Sequence, residues 1–342
     1  MKIIKKLMQI ALAVFFFGLL ATSAVLADDA DSEGWKFVQE NGRTYYKKGD
    51  IKEKAWRVID GKTYYFDYVS GEMVVGWQYI PAPHEGVTIG SSIRQDIAFR
   101  PDWFYFGQDG VLQEFVGKQV LEAKTATNTN KHHGEEYDTP AEKRVYYFED
   151  QRSYHTLKTG WIYDEGHWYY LLKDGGFDSR INRLTVGELA RGWVKDFPLT
   201  YDEDKLKAAP WYYLDPTTGI MQTGWQYLGN KWYYLRSSGA MATGWYQEGS
   251  TWYYLDAENG DMKTGWQYLG NKWYYLRSSG AMVTGWYQDG STWYYLNTGN
   301  GDMKTGWFQV NGKWYYAYSS GALAVNTTVD GYSVNYNGEW VQ

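Results

Sequence analysis

The chain has 342 residues, a formal net charge of −6, 22% charged residues and no cysteine. The missing Cys excludes a disulfide framework and a thiol nucleophile, and the acidic balance disfavours nucleic acid or an anionic membrane surface as partner. Aromatic residues make up 19%, with 34 Tyr and 19 Trp beside 38 Gly and seven Pro, a composition of many tight turns and not of a Pro-rich disordered linker.

Residues 1–27 have the layout of a secretory signal peptide. Lys2, Lys5 and Lys6 form the charged end, an apolar run extends from Leu7 to Leu20, and small residues at Val25 and Ala27 point to cleavage before Asp28. The run, at roughly 14 residues, is short for a bilayer span of about 20. No second long apolar run follows, so the expectation is a secreted protein with no membrane span after cleavage.

Aromatic doublets then mark the chain. From Tyr212-Tyr213 they recur at Tyr233-Tyr234, Tyr253-Tyr254, Tyr274-Tyr275, Tyr294-Tyr295 and Tyr315-Tyr316, 20 or 21 residues apart. Residues 223–263 and 264–304 are the same 41-residue text with five substitutions. Each unit reads GW, a turn such as Gly229-Asn230, WYYL, then a Gly-containing loop ending at Met. Two short aromatic runs joined by Gly-Asn or Gly-Ser predict a β-hairpin. A lone hairpin is barely stable, so stacked units must bury one another. The predicted fold is all-β, a solenoid of stacked β-hairpins with longer loops and modified repeats in the N-terminal half. Residues 28–206 are the modified region, interrupted near 78–102, 112–144 and 172–210; residues 207–342 are the regular repeats.

Strand alternation puts Trp232 and Tyr234 on one face and Tyr233 and Leu235 on the other. Aromatic stripes usually pack in a core, but here both faces are aromatic and a thin solenoid has one inside. Trp225 reaches the face of Trp232 across the hairpin, and the next hairpin is expected to bring up Tyr254. Three ring faces at a junction form a cage whose natural guest is a quaternary ammonium, which donates no hydrogen bond and is attracted by about 0.5–2 kcal/mol per ring.

The units GWQYLGNKWYYLRSSGAMATGW and GWYQEGSTWYYLDAENGDMKTGW resemble the choline-binding repeats of pneumococcal surface proteins. The consensus form covers about 207–342, and degenerate copies account for most of 28–206. In that family two Trp of one hairpin and a Tyr of the next enclose a choline headgroup. The resemblance implies the sets Trp225, Trp232 and Tyr254; Trp245, Trp252 and Tyr275; Trp266, Trp273 and Tyr295; and Trp286, Trp293 and Tyr316. Two upstream sets, Trp161, Trp168 and Tyr213 and Trp193, Trp211 and Tyr234, cross insertions. Beyond Trp307 and Trp314 no WYY follows, and Tyr332 or Tyr336 is the candidate to close that end. Where Thr44, Thr63 or Val145 stands in place of the leading Trp, the cage is incomplete. The resemblance also implies the partners: choline-decorated teichoic and lipoteichoic acids, with non-covalent retention on the bacterial cell wall. Choline is the ligand; no cofactor is expected.

Catalytic chemistry finds little support. His132-His133 followed by Glu135-Glu136 is the only His cluster in sequence, in a polar stretch that reads as a solvated loop; His84, His155 and His167 are isolated. No zinc-protease, P-loop or Rossmann pattern occurs. Asp202 and Asp204 lack a scaffolded sugar groove for acid–base work, and DAENGD and NTGNGD fall where the repeat needs a turn. The expectation is therefore a non-catalytic, multivalent binding protein that could restrain choline-bound wall hydrolases. The alternative is a glucan-binding repeat, since repeats of streptococcal glucosyltransferases are similarly aromatic.

Overall fold

The computed structural model of the protein describes residues 31, 33–82, 101–124, 131–132, 142–151, 154–173, 185–198 and 202–342. The proposed signal peptide, His84, His133, Glu135 and Glu136 lie outside these residues. The architecture is nearly all β, built of stacked hairpin sheets as the repeat predicts. A short helix, Glu203–Ala208, interrupts them, with the Asp202 carboxylate accepting from the Asp204 and Lys205 N–H groups as its N-cap.

The described residues fall into two compact units, one within Met1–Ile162 and Tyr170–Leu189, the other Tyr163–Tyr169 and Ala190–Gln342. In the second unit the hairpins are near copies. The Gly224 hairpin pairs Gly224–Leu228 with Lys231–Leu235, in the register Trp225↔Tyr234 and Tyr227↔Trp232. Its turn residues Gly229 and Asn230 both have positive φ, 55° and 64°, the geometry that matches strand twist in two-residue loops. The Gly244 hairpin (Gly244–Glu248, Thr251–Leu255), the Gly265 hairpin (Gly265–Leu269, Lys272–Leu276), the Gly285 hairpin (Gly285–Asp289, Thr292–Leu296) and the Gly306 hairpin (Gly306–Val310, Lys313–Ala317) repeat the same register.

Stacking follows from what each hairpin cannot bury alone. Leu235, Leu255, Leu276 and Leu296 are fully buried. The loop after each hairpin returns its Met to the hairpin before: Met262 N–H donates to the Trp232 carbonyl at 2.8 Å and Met282 N–H to that of Trp252 at 2.7 Å. Gly260 is required twice over. Its φ is +75°, and a Cβ there would meet the Met241 sulfur at 2.5 Å, so its bare backbone is what lets the previous repeat's Met pack. The DAENGD stretch is a turn, as expected: Asp256 accepts from the Asn259 and Glu258 N–H groups. These bonds, with the Lys263 ammonium, hold its carboxyl down at about 2.

The first unit uses the same hairpins with more sealed surfaces. The Gly76 hairpin pairs Val74–Pro81 with Pro101–Phe106, in the register Trp77↔Tyr105 and Tyr79↔Trp103. The strand Lys143–Gln151 lies between Gly117–Glu122 and Tyr154–Leu157. Trp77, Tyr146, Phe66, Phe104 and Phe106 are fully buried. Glu72, also buried, pairs with Arg43.

Candidate functional site

The register places Trp225 opposite Tyr234 and Trp232 opposite Tyr227, so all four rings share one face of the Gly224 hairpin. Trp225 and Trp232 meet at right angles, centroids 6.5 Å apart and planes at 83°. The same pair recurs as Trp245–Trp252 at 6.4 Å, Trp266–Trp273 at 6.5 Å and Trp286–Trp293 at 6.4 Å. The outer ring of each pair faces water; Trp232 is 43% exposed. A large indole left uncovered at every repeat offers a ring face to a ligand.

The third ring differs from the expected one. Against Trp225 the following hairpin sets Tyr253, centroids 4.9 Å apart, while Tyr254 lies across its own hairpin from Trp245 at 5.2 Å. Likewise Tyr274 meets Trp245, Tyr294 meets Trp266 and Tyr315 meets Trp286, each at 4.8 or 4.9 Å. The expected rings Tyr275, Tyr295 and Tyr316 instead pair with Trp266, Trp286 and Trp307 of their own hairpins. Alternation is the cause. Tyr254 shares a face with Trp252, the face turned toward the next hairpin, whereas Tyr253 is on the reverse face and is the one handed backward.

Beside the inner indoles Tyr246 stacks on Tyr234 at 3.9 Å, and Tyr287 on Tyr275 at 4.0 Å. Burial, then the hydrogen bond to the partner phenol, raises the Tyr246 and Tyr287 hydroxyls, which stay neutral.

Alternate cages carry an acid. The Trp225 Nε1–H donates to Glu248 at 3.0 Å, Trp266 to Asp289 at 2.9 Å and Trp307 to Asp330 at 3.2 Å. For Trp245 and Trp286 the equivalent strand ends are Leu269 and Val310. The sequence reading passed over these carboxylates, although the 41-residue period shows Glu248 and Asp289 at equivalent positions.

Of the two upstream sets, Trp193 packs on Tyr213 at 5.1 Å and on Tyr233 at 5.0 Å, with Tyr233 where Tyr234 was expected. Trp211 lies opposite Lys195, whose Nζ is 5.7 Å above its ring. Trp161 packs on Tyr170 at 4.9 Å and Trp168 on Tyr163 at 5.2 Å; Trp161 belongs to the first unit, Trp168 and Tyr213 to the second. At the C-terminal end Tyr332 sits 5.7 Å from Trp307; Tyr332 and Tyr336 are both exposed.

One ring set was missed. In the Gly76 hairpin Trp77 and Trp103 are 6.2 Å apart at 87°, and Tyr146 packs on Trp77 at 4.8 Å. The signal was present as GW at 76–77 and WFYF at 103–106, separated by an insertion. This cage is sealed: Trp103 is 5% exposed and Trp77 not at all.

Among the described residues no group of three or more His, Cys, Asp or Glu is placed to hold a metal, and no helix is long and apolar enough to cross a membrane. Repeated hairpins with open right-angled Trp pairs define a solenoid that binds through aromatic surface cages. The choline-binding repeat pattern matches residues 222–264 and 263–308, and a putative cell wall binding repeat matches 159–177 and 305–323. CbpJ from Streptococcus pneumoniae is similar in structure, at 68% identity over 90% of this chain and 100% of that one, TM-score 0.79. Choline binding protein F from Streptococcus pneumoniae is similar in two structures, each covering 90% of this chain and 99% of that one. The one in the presence of a peptidoglycan analogue has 63% identity and TM-score 0.79; the one in complex with ipratropium has 64% and 0.78. No curated protein matches the chain. The chain belongs to the choline-binding protein family. It carries cell-wall-binding repeats, and its function is attachment to cell-wall choline.

Proposed function

We propose that the protein is a non-catalytic, multivalent module held on choline-bearing teichoic and lipoteichoic acids. Its choline sites are the open cages Trp225–Trp232–Tyr253, Trp245–Trp252–Tyr274, Trp266–Trp273–Tyr294 and Trp286–Trp293–Tyr315. The carrying observation is the right-angled Trp pair with its outer ring in water, recurring within 0.1 Å along the repeats. Choline binding protein F has been solved with ipratropium, which carries a quaternary ammonium, and this supports a cation as the guest. The matched repeats do not favour the glucan alternative. One millimolar cage contributes only about 4 kcal/mol. Several on one scaffold facing a polymer of repeated choline gain about 100- to 10,000-fold in avidity.

Titration calorimetry with free choline, followed by elution from a choline-like amine resin, tests this. A binding heat with tryptophan fluorescence change, and elution by choline but not by dextran, is the expected result; dextran elution would return the site to sugars. The kinship with choline-binding proteins supports a role without catalysis, and lysis of choline-containing walls by the purified protein would overturn that part. On the same wall cholines the protein competes with resident hydrolases, so saturating coverage is expected to slow their lysis. Residues 1–27 act as the secretory signal in this reading, and a mature N-terminus other than Asp28 would revise it.

A further inference from the structure

The sealed cage of the Gly76 hairpin contains a cation already. Lys124, only 4% exposed, follows the strand Gly117–Glu122. Its Nζ stands 4.5 Å from the Trp77 centroid, 5.3 Å from that of Trp103 and 4.2 Å from that of Tyr146. It donates to the Val186 carbonyl at 2.7 Å, and Trp77 Nε1–H donates to the Glu122 carbonyl at 2.8 Å, tying the cage to the segment that brings the lysine.

These rings match the open cages residue for residue. Trp77 and Trp103 hold the places of Trp225 and Trp232, at 6.2 Å and 87° against 6.5 Å and 83°. Tyr79 backs Trp103 at 5.1 Å as Tyr227 backs Trp232 at 5.1 Å. Tyr146, first of its doublet, meets Trp77 at 4.8 Å as Tyr253 meets Trp225 at 4.9 Å. An ammonium over three ring faces is the arrangement that cation–π attraction favours, most strongly where water is excluded.

We infer that Trp77, Trp103 and Tyr146 form a cation site of the same design as the open cages, filled from within by the Lys124 ammonium and therefore closed to choline. The consequence is that only part of the chain's cage geometry is available to the wall. The occupied cage also marks where the guest cation sits in the open ones: between the Trp pair and the first Tyr of the following doublet. The inference rests on the reading of the open cages for this comparison alone.

The test is amine rescue in the full chain. Lys124→Ala removes three methylenes and the ammonium, the atoms of n-propylammonium. The variant is expected to melt below the wild type. At pH 6, in n-propylammonium at tens of millimolar, its Tm should recover well beyond the gain of the wild type, and n-propanol should not substitute, with about a tenfold preference for the cation. Equal rescue by the alcohol, or none by either, overturns the inference. Should Lys124→Ala fail to fold, proton NMR of the wild type at pH 6 decides. The Lys124 ε-methylene, assigned by its loss in Lys124→Met, is expected far upfield through ring currents, and lysine ε-resonances all at ordinary positions refute the placement. A choline titration of the wild-type sample reads the open cages separately, so failure there leaves this result intact.

Discussion

The Gly76 and Gly224 hairpins hold the same rings in the same register and differ in what covers them. At Gly224 the outer indole, Trp232, is open to water and the cation has to come from outside. At Gly76 the corresponding Trp103 is buried, and the chain just after the strand Gly117–Glu122 delivers the Lys124 ammonium on a tether. A binding cage and a core element are thus one motif separated by its cover. Lys195 over Trp211 stands between the two cases, a lysine approaching an indole that still faces solvent.

The bluntest way to break this comparison is to delete one Trp from each side. Trp77→Ala removes a fully buried ring packed on Trp103, Tyr105, Tyr146 and Phe148. It is expected to cost about 3–5 kcal/mol in urea unfolding. Trp232→Ala truncates a half-exposed ring and should cost under about 1 kcal/mol, yet remove one site from the choline isotherm. Equal stability losses would mean that the open cage is core after all.

Next comes pH. Burial pushes the Lys124 ammonium down to about 7, against the Glu188 carboxylate, which holds it up. Glu188 is raised by its own burial and faces Arg144 and the Tyr146 hydroxyl. Above pH 7 the folded chain has released a proton that the unfolded lysine keeps to its ordinary value. Stability from this group therefore rises with pH, by up to about 1.4 kcal/mol per unit, and is flat below pH 7. The difference between wild type and Lys124→Met should show that slope between pH 7 and 9. A flat difference would mean that the Lys124 ammonium keeps its ordinary value in the cage.

The repeat period, the hairpins, their turns and the pairing of two Trp within each hairpin were legible because each depends on spacing within one unit. The third wall was not. Tyr253 and Tyr254 are adjacent and chemically alike, and which one turns back toward Trp225 is decided by the stacking of one hairpin on another. Lys124 was hidden for a related reason: it lies 21 residues beyond Trp103, and only the return of Gly117–Glu122 onto the Lys143–Gln151 strand brings it to the rings. Contacts between units of the repeat are tertiary facts that periodicity does not carry.

That adjacency makes a sharper test possible. Tyr253→Ala should weaken choline binding at the Trp225 cage by about 5- to 30-fold, the loss of one desolvated ring face. Tyr254→Ala should act on the backing of Trp245 instead. Because four similar cages overlap in one isotherm, the measurement belongs in a background with Trp252, Trp273 and Trp293 changed to Ala. A larger loss from Tyr254→Ala at the Trp225 cage would restore the Tyr254 wall.

The smallest expected effect distinguishes the open cages from one another. Glu248 and Asp289 each accept from a cage indole, whereas the Trp245 and Trp286 cages have Leu269 and Val310 at the same strand end. A carboxylate bonded to a cage indole adds Coulombic attraction for a cationic guest. Both acids are exposed, so screening limits the gain to about two- or threefold at low salt. Glu248→Gln and Asp289→Asn should lower choline affinity at the Trp225 and Trp266 cages by that factor and remove its salt dependence, leaving the other two unchanged. The sealed cage agrees with this assignment: there Trp77 donates to a backbone carbonyl in place of a carboxylate. A tethered cation needs no long-range attraction to reach its rings, whereas a free one gains from a charge at the mouth.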